Sequence, residues 1–404
     1  MVLDAVLLLD SDCGRFANYS QFQYKGAHMV AVQGKVSPGF EAVSEAFAAN
    51  FAGDFEVGAS VAVVHKGELV VDIWGGHADM ERTKPWESDT IVNVWSTTKT
   101  MMFLTLLTLA DRGDISLSDP VYKYWPEFKA NGKESVEIRH LMAHTAGLPG
   151  WDEPMTEADL HNHDKCAAAL AAQAPWWEPG TQSGYHAISQ GYLIGELVKR
   201  VTGTSLGTFF RETFAEPLGA DFHIGTGAQH DHRISGVIPN DSGTMPTMDP
   251  AGIAARTYGN PLMNARMALT EGWRRCESPA ANGHGNARSV AQLQSIISHG
   301  GQAAGKRFLS AQGVEALFAE QASGQDLILG VPMKFGMGYG LASEYSPISP
   351  NARACFWGGW GGSLVVNDLD AELTFAYVMN RMGDGTVGDM RAAGPLMATF
   401  GAIV

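Results

Sequence analysis

Cysteine is scarce in this 404-residue sequence, which has four cysteines and no C-x-x-C pair. They are scattered along the chain at Cys13, Cys166, Cys276 and Cys355. Disulfide frameworks and zinc ribbons place their cysteines at close, regular spacings, so this distribution predicts reduced thiols.

Histidine spacings typical of a zinc helix or a zinc finger are missing as well. The two close pairs, His161-x-His163 and His230-x-His232, stand in polar segments that contain Asp. We therefore expect both pairs in solvated loops, and we predict no metal and no cofactor.

Basic residues are also few. The chain has 28 Lys and Arg against 43 Asp and Glu, a formal net charge of -15, and no run of Lys or Arg. Such a charge argues against nucleic acid or an anionic membrane surface as a partner, because both are recognised through basic patches.

Long apolar runs are the last feature that the sequence lacks. Residues 2–9 are apolar, but they include Asp4, lack a basic start and are too short to span a bilayer. We expect neither a membrane span nor a signal peptide, which leaves a cytoplasmic location as the prediction.

The sequence does contain Ser96-Thr97-Thr98-Lys99, directly before a leucine-rich run at residues 100–112. This run predicts a helix, and residues 91–95 before it predict a strand. A serine and a lysine three apart share one face at the start of such a helix. There, N–H groups and the helix dipole favour an oxyanion and disfavour a protonated amine, so that Lys99 can take the proton of Ser96. The alternative is a capping serine beside an exposed lysine.

A tyrosine stands where a second helix is expected to begin. Gly184-Tyr185-His186 follows the turn-rich residues 177–180 and precedes a predicted helix at residues 187–200. A phenol at this place can donate or accept a proton, although a plain buried tyrosine would give the same pattern.

The third segment is rich in glycine. Residues 357–363 (WGGWGGS) follow a predicted strand and precede a predicted hairpin. Glycines beside a strand let the backbone approach a ligand and offer an N–H to an oxyanion. An ordinary glycine-rich turn is the alternative.

In this order and at these separations, the three segments resemble the serine β-lactamase and penicillin-binding-protein superfamily, whose motifs include S-x-x-K. Within it, the sequence is most similar to the family VIII carboxylesterases, which look like class C β-lactamases. Residues 138–148 (IRHLMAHTAGL) are similar to the superfamily's LLxHTSGL stretch, and residues 377–382 (YVMNRM) add a match near the C-terminus. The resemblance begins at about Met29, so we treat residues 1–28 as an N-terminal extension.

The resemblance implies a β-lactamase-like α/β fold, with an antiparallel sheet flanked by helices and an inserted, mainly helical lobe. The sequence agrees, because it predicts strands near both ends, among them residues 59–65, 68–74 and 335–342, and helices between them, among them residues 310–320. We assign residues 29–97 and 290–404 to a discontinuous α/β lobe and residues 98–289 to the helical lobe. Ser96 would lie where the two lobes meet, a usual place for a ligand cleft.

The resemblance also implies a serine ester hydrolase that works through an acyl-enzyme. Ser96 would attack the carbonyl, and Lys99 with Tyr185 would relay the proton to the leaving alcohol and later activate water. The remaining implied site residues are the N–H groups of Ser96 and Trp360 as the oxyanion hole, and Trp357, Gly358 and Gly359 as substrate contacts.

Two departures from the lactamase pattern bear on the substrate. Ala187 stands where lactamases of this type have the Asn of Tyr-x-Asn, and Trp357-Gly358-Gly359 replaces Lys-Thr-Gly. The groups that hold a β-lactam's side chain and carboxylate are therefore missing, which favours a short-chain neutral ester as the small-molecule partner. The alternatives are a β-lactamase or D-amino-acid peptidase, an acyltransferase, and a non-catalytic binding or assembly protein.

A second serine fits another esterase motif. Residues 203–207 (GTSLG) match the G-x-S-x-G nucleophile elbow, which requires a strand before the serine. Residues 188–200 instead predict an amphipathic helix. We therefore expect Ser205 to cap a following helix at residues 206–215.

Overall fold

The computed structural model describes residues 30–240, 249 and 251–403, so the predicted extension at residues 1–28, with Cys13, lies outside the described residues. The strands are β1 (Gln33–Val36), β2 (Gly58–His65), β3 (Glu68–Gly76), β4 (Val92–Asn93), β5 (Phe222–Ile224), β6 (Gly283–Gly285), β7 (Gln302–Ala303), β8 (Lys306–Arg307), β9 (Ala322–Gln325), β10 (Pro332–Phe335), β11 (Gly340–Leu341), β12 (Ala354–Gly358), β13 (Leu364–Asp368) and β14 (Leu373–Met379). The α-helices are α1 (Glu41–Ala49), α2 (Lys99–Asp111), α3 (Ile138–Met142), α4 (His163–Ala172), α5 (Ser189–Thr202), α6 (Leu206–Phe210), α7 (Glu216–Leu218), α8 (Ile253–Gly259), α9 (Glu271–Arg275), α10 (Ala287–Ser298), α11 (Ala311–Glu315) and α12 (Ala393–Gly401).

Nine of the described strands form one antiparallel sheet in the order β1-β3-β2-β14-β13-β12-β11-β10-β9. The pairing of β2 with β14 joins the two ends of the chain, with Ala59 opposite Met379. The valine-rich β2 and the whole of β14 are almost completely buried, because helices cover both faces of the sheet. The predicted antiparallel sheet flanked by helices is confirmed.

The two faces of the sheet are covered by different helices. On one face, Ser298 of α10 lies 2.8 Å from the hydroxyl of Thr374. On the other, the ring of Phe47 in α1 packs against Tyr377 with centroids 6.3 Å apart. Thr374 and Tyr377 are three residues apart on β14, so their side chains point to opposite faces. The C-terminal helix α12 packs on α1.

The chain between residues 98 and 289 is mainly helical, as the sequence predicts. Its first helix, α2, is buried along its whole length from Lys99 to Leu109, which explains why its apolar residues show no single stripe. A small sheet in the order β4-β6-β5 joins the segment before α2 to this region, and of its strands the sequence predicted only the first. Strands of two or three residues are too short to show an alternating pattern.

Three predicted elements differ from those observed. The strand predicted at residues 91–95 is only β4, because a 3-10 turn begins at Trp95. The strand predicted at residues 335–342 divides into β10 and β11 around Gly338, whose φ of +92° requires a turn. The helix predicted at residues 310–320 consists of α11 and a separate 3-10 turn, Ala316–Phe318.

None of the described helices combines the length and the apolar character that a bilayer-spanning segment needs. A cytoplasmic location stays a prediction.

Candidate active site

Ser96 lies in the 3-10 turn Trp95–Thr98, which leads directly into α2. Trp95 has a φ of +48°, a strained value for a bulky residue, and the chain turns sharply there after β4. The Thr98 hydroxyl donates to the Trp95 carbonyl at 2.5 Å and accepts from the N–H of Gly283 at 2.9 Å. These bonds tie the turn to β6 and fix the backbone that carries Ser96.

Lys99 is fully buried one turn after Ser96. Its Nζ lies 3.1 Å from Ser96 Oγ, 2.6 Å from the carbonyl oxygen of Ala187 and 2.9 Å from that of Ala280. Burial lowers the pKa of Lys99 well below its usual range. Among the described residues no carboxylate forms an ion pair with it, so little opposes the neutral form.

Tyr185 reaches the same serine from the loop before α5. Its hydroxyl lies 2.5 Å from Ser96 Oγ, and Lys99 Nζ lies 4.9 Å from the centre of its ring. Burial raises the pKa of Tyr185, and the hydrogen bond to Ser96 only partly opposes this. The phenol therefore stays protonated near neutral pH and can donate to Ser96 Oγ.

Asp326, which no sequence motif marks as a site residue, holds the backbone of this tyrosine. Its Oδ1 accepts hydrogen bonds from the N–H groups of Tyr185 at 3.0 Å and of Ile328 and Leu329 at 2.9 Å. The residue is fully buried. A carboxylate that binds only main-chain N–H groups leaves no motif. The one available signal was a lone Asp before the apolar residues 327–329.

Two neutral histidines pack behind Tyr185. The ring of His144 lies 5.0 Å from the tyrosine ring, and its Nδ1 accepts from the N–H of His186 at 3.1 Å. His186 in turn donates from Nδ1 to the Gly184 carbonyl at 2.6 Å and accepts at Nε2 from the N–H of Leu148 at 3.0 Å. Burial lowers the pKa of both, that of His186 to about 3. They therefore support the tyrosine without carrying charge.

Trp357 lies behind Tyr185, away from any open surface. Its side chain is 0% exposed, and its ring lies 5.4 Å from that of Tyr185 and 5.6 Å from that of Phe335. The expected contact between this side chain and the substrate does not fit such burial. The indole is large and apolar, and it fills the space beneath the tyrosine.

The next two glycines are needed because the protein's own backbone approaches them closely. A Cβ at Gly358 would lie 2.4 Å from the nitrogen of Gly388, and a Cβ at Gly359 would lie 2.3 Å from the carbonyl oxygen of Val94. We expected these glycines to make room for a ligand. The structure shows that they make room for neighbouring chain, which brings this loop against the turn that carries Ser96.

The rest of the glycine loop packs on the same turn. The ring of Trp360 lies 5.1 Å from that of Trp95, and the Ser363 hydroxyl donates to the Val94 carbonyl at 2.8 Å. Within the described residues, neither the N–H of Ser96 nor that of Trp360 donates to another backbone group. Both groups remain available to a ligand oxygen.

Ser205 occupies a different setting. It follows the end of α5 at Thr202, and its hydroxyl accepts from the N–H of Thr208 at 3.2 Å and donates to Glu277 at 2.7 Å. The predicted helix cap is confirmed, and the strand that a nucleophile elbow needs is replaced by a helix. The helix is shorter than predicted, since a π turn, Arg211–Ala215, follows α6.

The expectation of solvated loops around the paired histidines is wrong for His163, which lies in an α-helix, whereas His232 is exposed in a short 3-10 turn. His163 begins α4, and its Nε2 lies 3.2 Å from Glu196. His230 lies in the 3-10 turn Ala228–Arg233, where its ring nitrogen accepts from Arg233 at 2.8 Å. His163 and His230 each contact a charged side chain, which a pattern of alternating histidines does not reveal.

Comparisons with known proteins agree with this architecture. The Beta-lactamase family model matches residues 47–395. The chain is 36% identical over 374 residues to the esterase/beta-lactamase LipL of Mycobacterium tuberculosis (strain ATCC 25618 / H37Rv), covering 87% of this chain and 83% of LipL. A crystal structure of a family VIII carboxylesterase superposes with a TM-score of 0.87 at 40% identity, covering 92% of this chain and 100% of that one. A penicillin-binding protein homolog from Caulobacter crescentus gives the same TM-score and coverage at 35% identity.

Proposed function

This chain belongs to the beta-lactamase family, in which it is a serine carboxylesterase, and we propose that Ser96 is its nucleophile and Lys99 the base that activates it. Tyr185 completes the proton path, and the N–H groups of Ser96 and Trp360 bind the oxyanion.

The observation that carries this proposal is the set of three partners around Lys99 Nζ. A neutral amine has two N–H groups and one lone pair. The carbonyls of Ala187 and Ala280, at 2.6 and 2.9 Å, are the strong acceptors and take both N–H groups. The lone pair is then left for the third partner, Ser96 Oγ at 3.1 Å, whose proton it accepts.

Acylation follows from this arrangement. Ser96 Oγ forms a bond to the ester carbonyl carbon while its proton passes to Lys99 Nζ. The carbonyl oxygen becomes an oxyanion, which the N–H groups of Ser96 and Trp360 stabilise. When the intermediate collapses, the bond to the alcohol oxygen breaks and Tyr185 gives that oxygen its proton. Lys99 returns a proton to the phenolate, so the leaving alcohol is neutral and both side chains regain their resting states.

Deacylation uses the same groups in reverse. A water molecule takes the place of the alcohol. As the water oxygen attacks the acyl carbon, its proton passes to Lys99, either directly or through Tyr185, which gives its own proton to Lys99 as it accepts that of the water. Ser96 leaves with a proton returned from Lys99, and the carboxylic acid is released. The phenol and the amine act as one unit in both halves of the reaction.

The chemistry beside Ser96 favours short-chain neutral esters as substrates. Ala187 offers a methyl group where an amide would bind a lactam's side chain, and Trp357 replaces a cation that would bind its carboxylate. A charge-assisted hydrogen bond is worth roughly 1.5 to 3 kcal/mol, so both losses weaken binding of an anionic lactam more than that of a neutral ester.

Covalent labelling with a fluorophosphonate tests the assignment. We expect the wild type and the matched control Ser205→Ala to be labelled at equal rates, with the adduct mapped to the peptide that contains Ser96. Ser96→Ala should not be labelled. Labelling that is lost in Ser205→Ala and kept in Ser96→Ala would overturn the proposal.

A further inference from the structure

The guanidinium of Arg391 lies beside the glycine loop, although the proposed mechanism makes no use of it. It donates to the main-chain oxygen of Gly361, to that of Arg381 at 2.8 Å and to that of Phe55 at 3.3 Å. One side chain, only 12% exposed, thereby ties three separate backbone segments together.

Two carboxylates hold this guanidinium in place. Asp389 accepts from it at 2.6 Å and Glu56 at 2.7 Å, while the Tyr377 hydroxyl donates to the second oxygen of Glu56. Burial acts to lower the pKa of Arg391, but the charges of Glu56 and Asp389 outweigh it and raise the pKa. The arginine is therefore a permanent cation with a fixed orientation, suited to binding several acceptors at once.

Gly361 directly follows Trp360 and is held on both of its sides. Its N–H donates to the carbonyl of Gly385 at 2.8 Å, and its carbonyl accepts from the N–H of Gly383 at 2.8 Å as well as from Arg391. Its φ of +91° is one that glycine adopts easily and other residues rarely do. A backbone with this much freedom needs such bonds to stay in one conformation.

We propose that Arg391 is a positioning residue for the oxyanion hole: by fixing Gly361, it holds the N–H of Trp360 toward the acyl oxygen bound at Ser96. This inference rests on the proposed function. Arg391 touches neither substrate nor reacting atoms. It acts on the rate because an oxyanion donor works only from a preorganised position.

Arg391→Lys tests the inference, with Arg288→Lys as the matched control. Lysine keeps the charge between the carboxylates, but a single ammonium cannot reach all three carbonyls. Arg288 lies in α10, and its partly buried ion pair with Asp72 at 2.7 Å is a guanidinium–carboxylate bond on another part of the sheet. For both variants, kcat is divided by the fraction of molecules that a fluorophosphonate labels at completion, which removes any contribution from misfolded protein.

We expect Arg391→Lys to lower this corrected kcat roughly tenfold to a hundredfold while KM changes little, because losing an oxyanion donor outright costs roughly a hundredfold to a thousandfold. The affinity for a trifluoromethyl ketone, which forms an oxyanion on the serine, should fall by the same factor. Arg288→Lys should change neither quantity. If Arg391→Lys does not fold, Asp389→Asn, which weakens the hold on the guanidinium, should show a smaller fall of the same kind.

An unchanged corrected kcat and an unchanged ketone affinity would overturn the inference, and so would a loss confined to KM. The wild type separates this result from a failure of the proposed function. If the ketone and the phosphonate do not bind the wild type at Ser96, the nucleophile assignment fails. If they bind the wild type and the variant equally well, only the role of Arg391 fails.

Discussion

Lys99 is a fully buried basic side chain of this enzyme and Arg391 a largely buried one, and their surroundings differ in kind. Lys99 meets a serine hydroxyl and two main-chain carbonyls, whereas Arg391 lies between two carboxylates. Burial lowers the pKa of Lys99, while the charges around Arg391 raise its pKa. Burial thus favours the neutral form of Lys99, where the proposed mechanism needs a proton acceptor, whereas the charge is kept at Arg391, which binds backbone carbonyls.

The first test of this comparison removes the hydroxyl of Ser96, the residue whose reaction Lys99 and Arg391 are both proposed to assist. Ser96→Ala should lower kcat/KM for a p-nitrophenyl ester by roughly four orders of magnitude or more, as removal of a serine nucleophile does. Ser205→Ala should stay within about threefold of the wild type, since its hydroxyl caps a helix and donates to Glu277 rather than to Ser96 or Lys99. A hydrolysis assay on both purified variants provides the test, and equal activity of the two would contradict it.

The second test removes the two side chains that are proposed to transfer protons and leaves Arg391 intact. Lys99→Ala and Tyr185→Phe should each lower kcat by several orders of magnitude with the fold retained, as judged by circular dichroism. The double variant should be little worse than either single one, because a proton path acts as a unit and its losses do not add. Losses that multiply would require independent roles for the two residues.

The third test concerns the cation that would bind a β-lactam's carboxylate and that Trp357 replaces in this chain. We predict that kcat/KM for short-chain p-nitrophenyl esters exceeds that for benzylpenicillin by a factor of about a hundred to several thousand. Two missing contacts cost roughly 3 to 5 kcal/mol of transition-state binding. Hydrolysis profiles over esters of increasing chain length, beside a penicillin and a chromogenic cephalosporin, measure this. Equal values for penicillin and the best ester would contradict the proposed substrate class.

The smallest effect is expected from Glu56, which pairs with Arg391. Burial raises the pKa of Glu56 from 4.5 to about 7, against the lowering effects of Arg391 and Tyr377. Between pH 4.5 and about pH 7, Glu56 therefore keeps its proton in the folded protein but loses it in the unfolded chain. The stability that this bound proton contributes is fully present below pH 4.5 and is lost as the pH rises through about 7. Its upper limit is on the order of 3 kcal/mol.

Glu56→Gln should remove this decrease in stability with rising pH, because glutamine does not titrate. The Tm of Glu56→Gln relative to the wild type should rise between about pH 5 and about pH 8, as thermal melts can show. The exposed Glu68→Gln on β3 is the matched control and should run parallel to the wild type. A Glu56→Gln curve that also runs parallel would contradict the assignment of this proton.

The sequence predicted the elements that carry long patterns. The apolar run after Ser96 identified α2, the amphipathic run after Tyr185 identified α5, and the valine-rich strands identified the sheet. Each of these predictions depends on a pattern of apolar and polar side chains that extends over many residues. The pairing of distant segments followed from the family resemblance, because no local pattern states which strands are neighbours.

Contacts made by main-chain groups could not be predicted from the sequence. The carbonyls of Ala187 and Ala280 that surround Lys99, and the N–H groups that Asp326 binds, belong to every residue type and therefore have no signature. The burial of Trp357 was missed for a related reason, since an aromatic residue beside glycines is equally suited to a cleft wall and to a core.

The most direct test of the account is to trap the acyl group of a substrate. Brief reaction with p-nitrophenyl pivalate, whose branched acyl group slows deacylation, is followed by acid quench and peptide mapping by mass spectrometry. We predict one pivaloyl group per molecule on the peptide that contains Ser96, formed together with a burst of p-nitrophenol. A pivaloyl group on any other residue, or the same burst from Ser96→Ala, would contradict it.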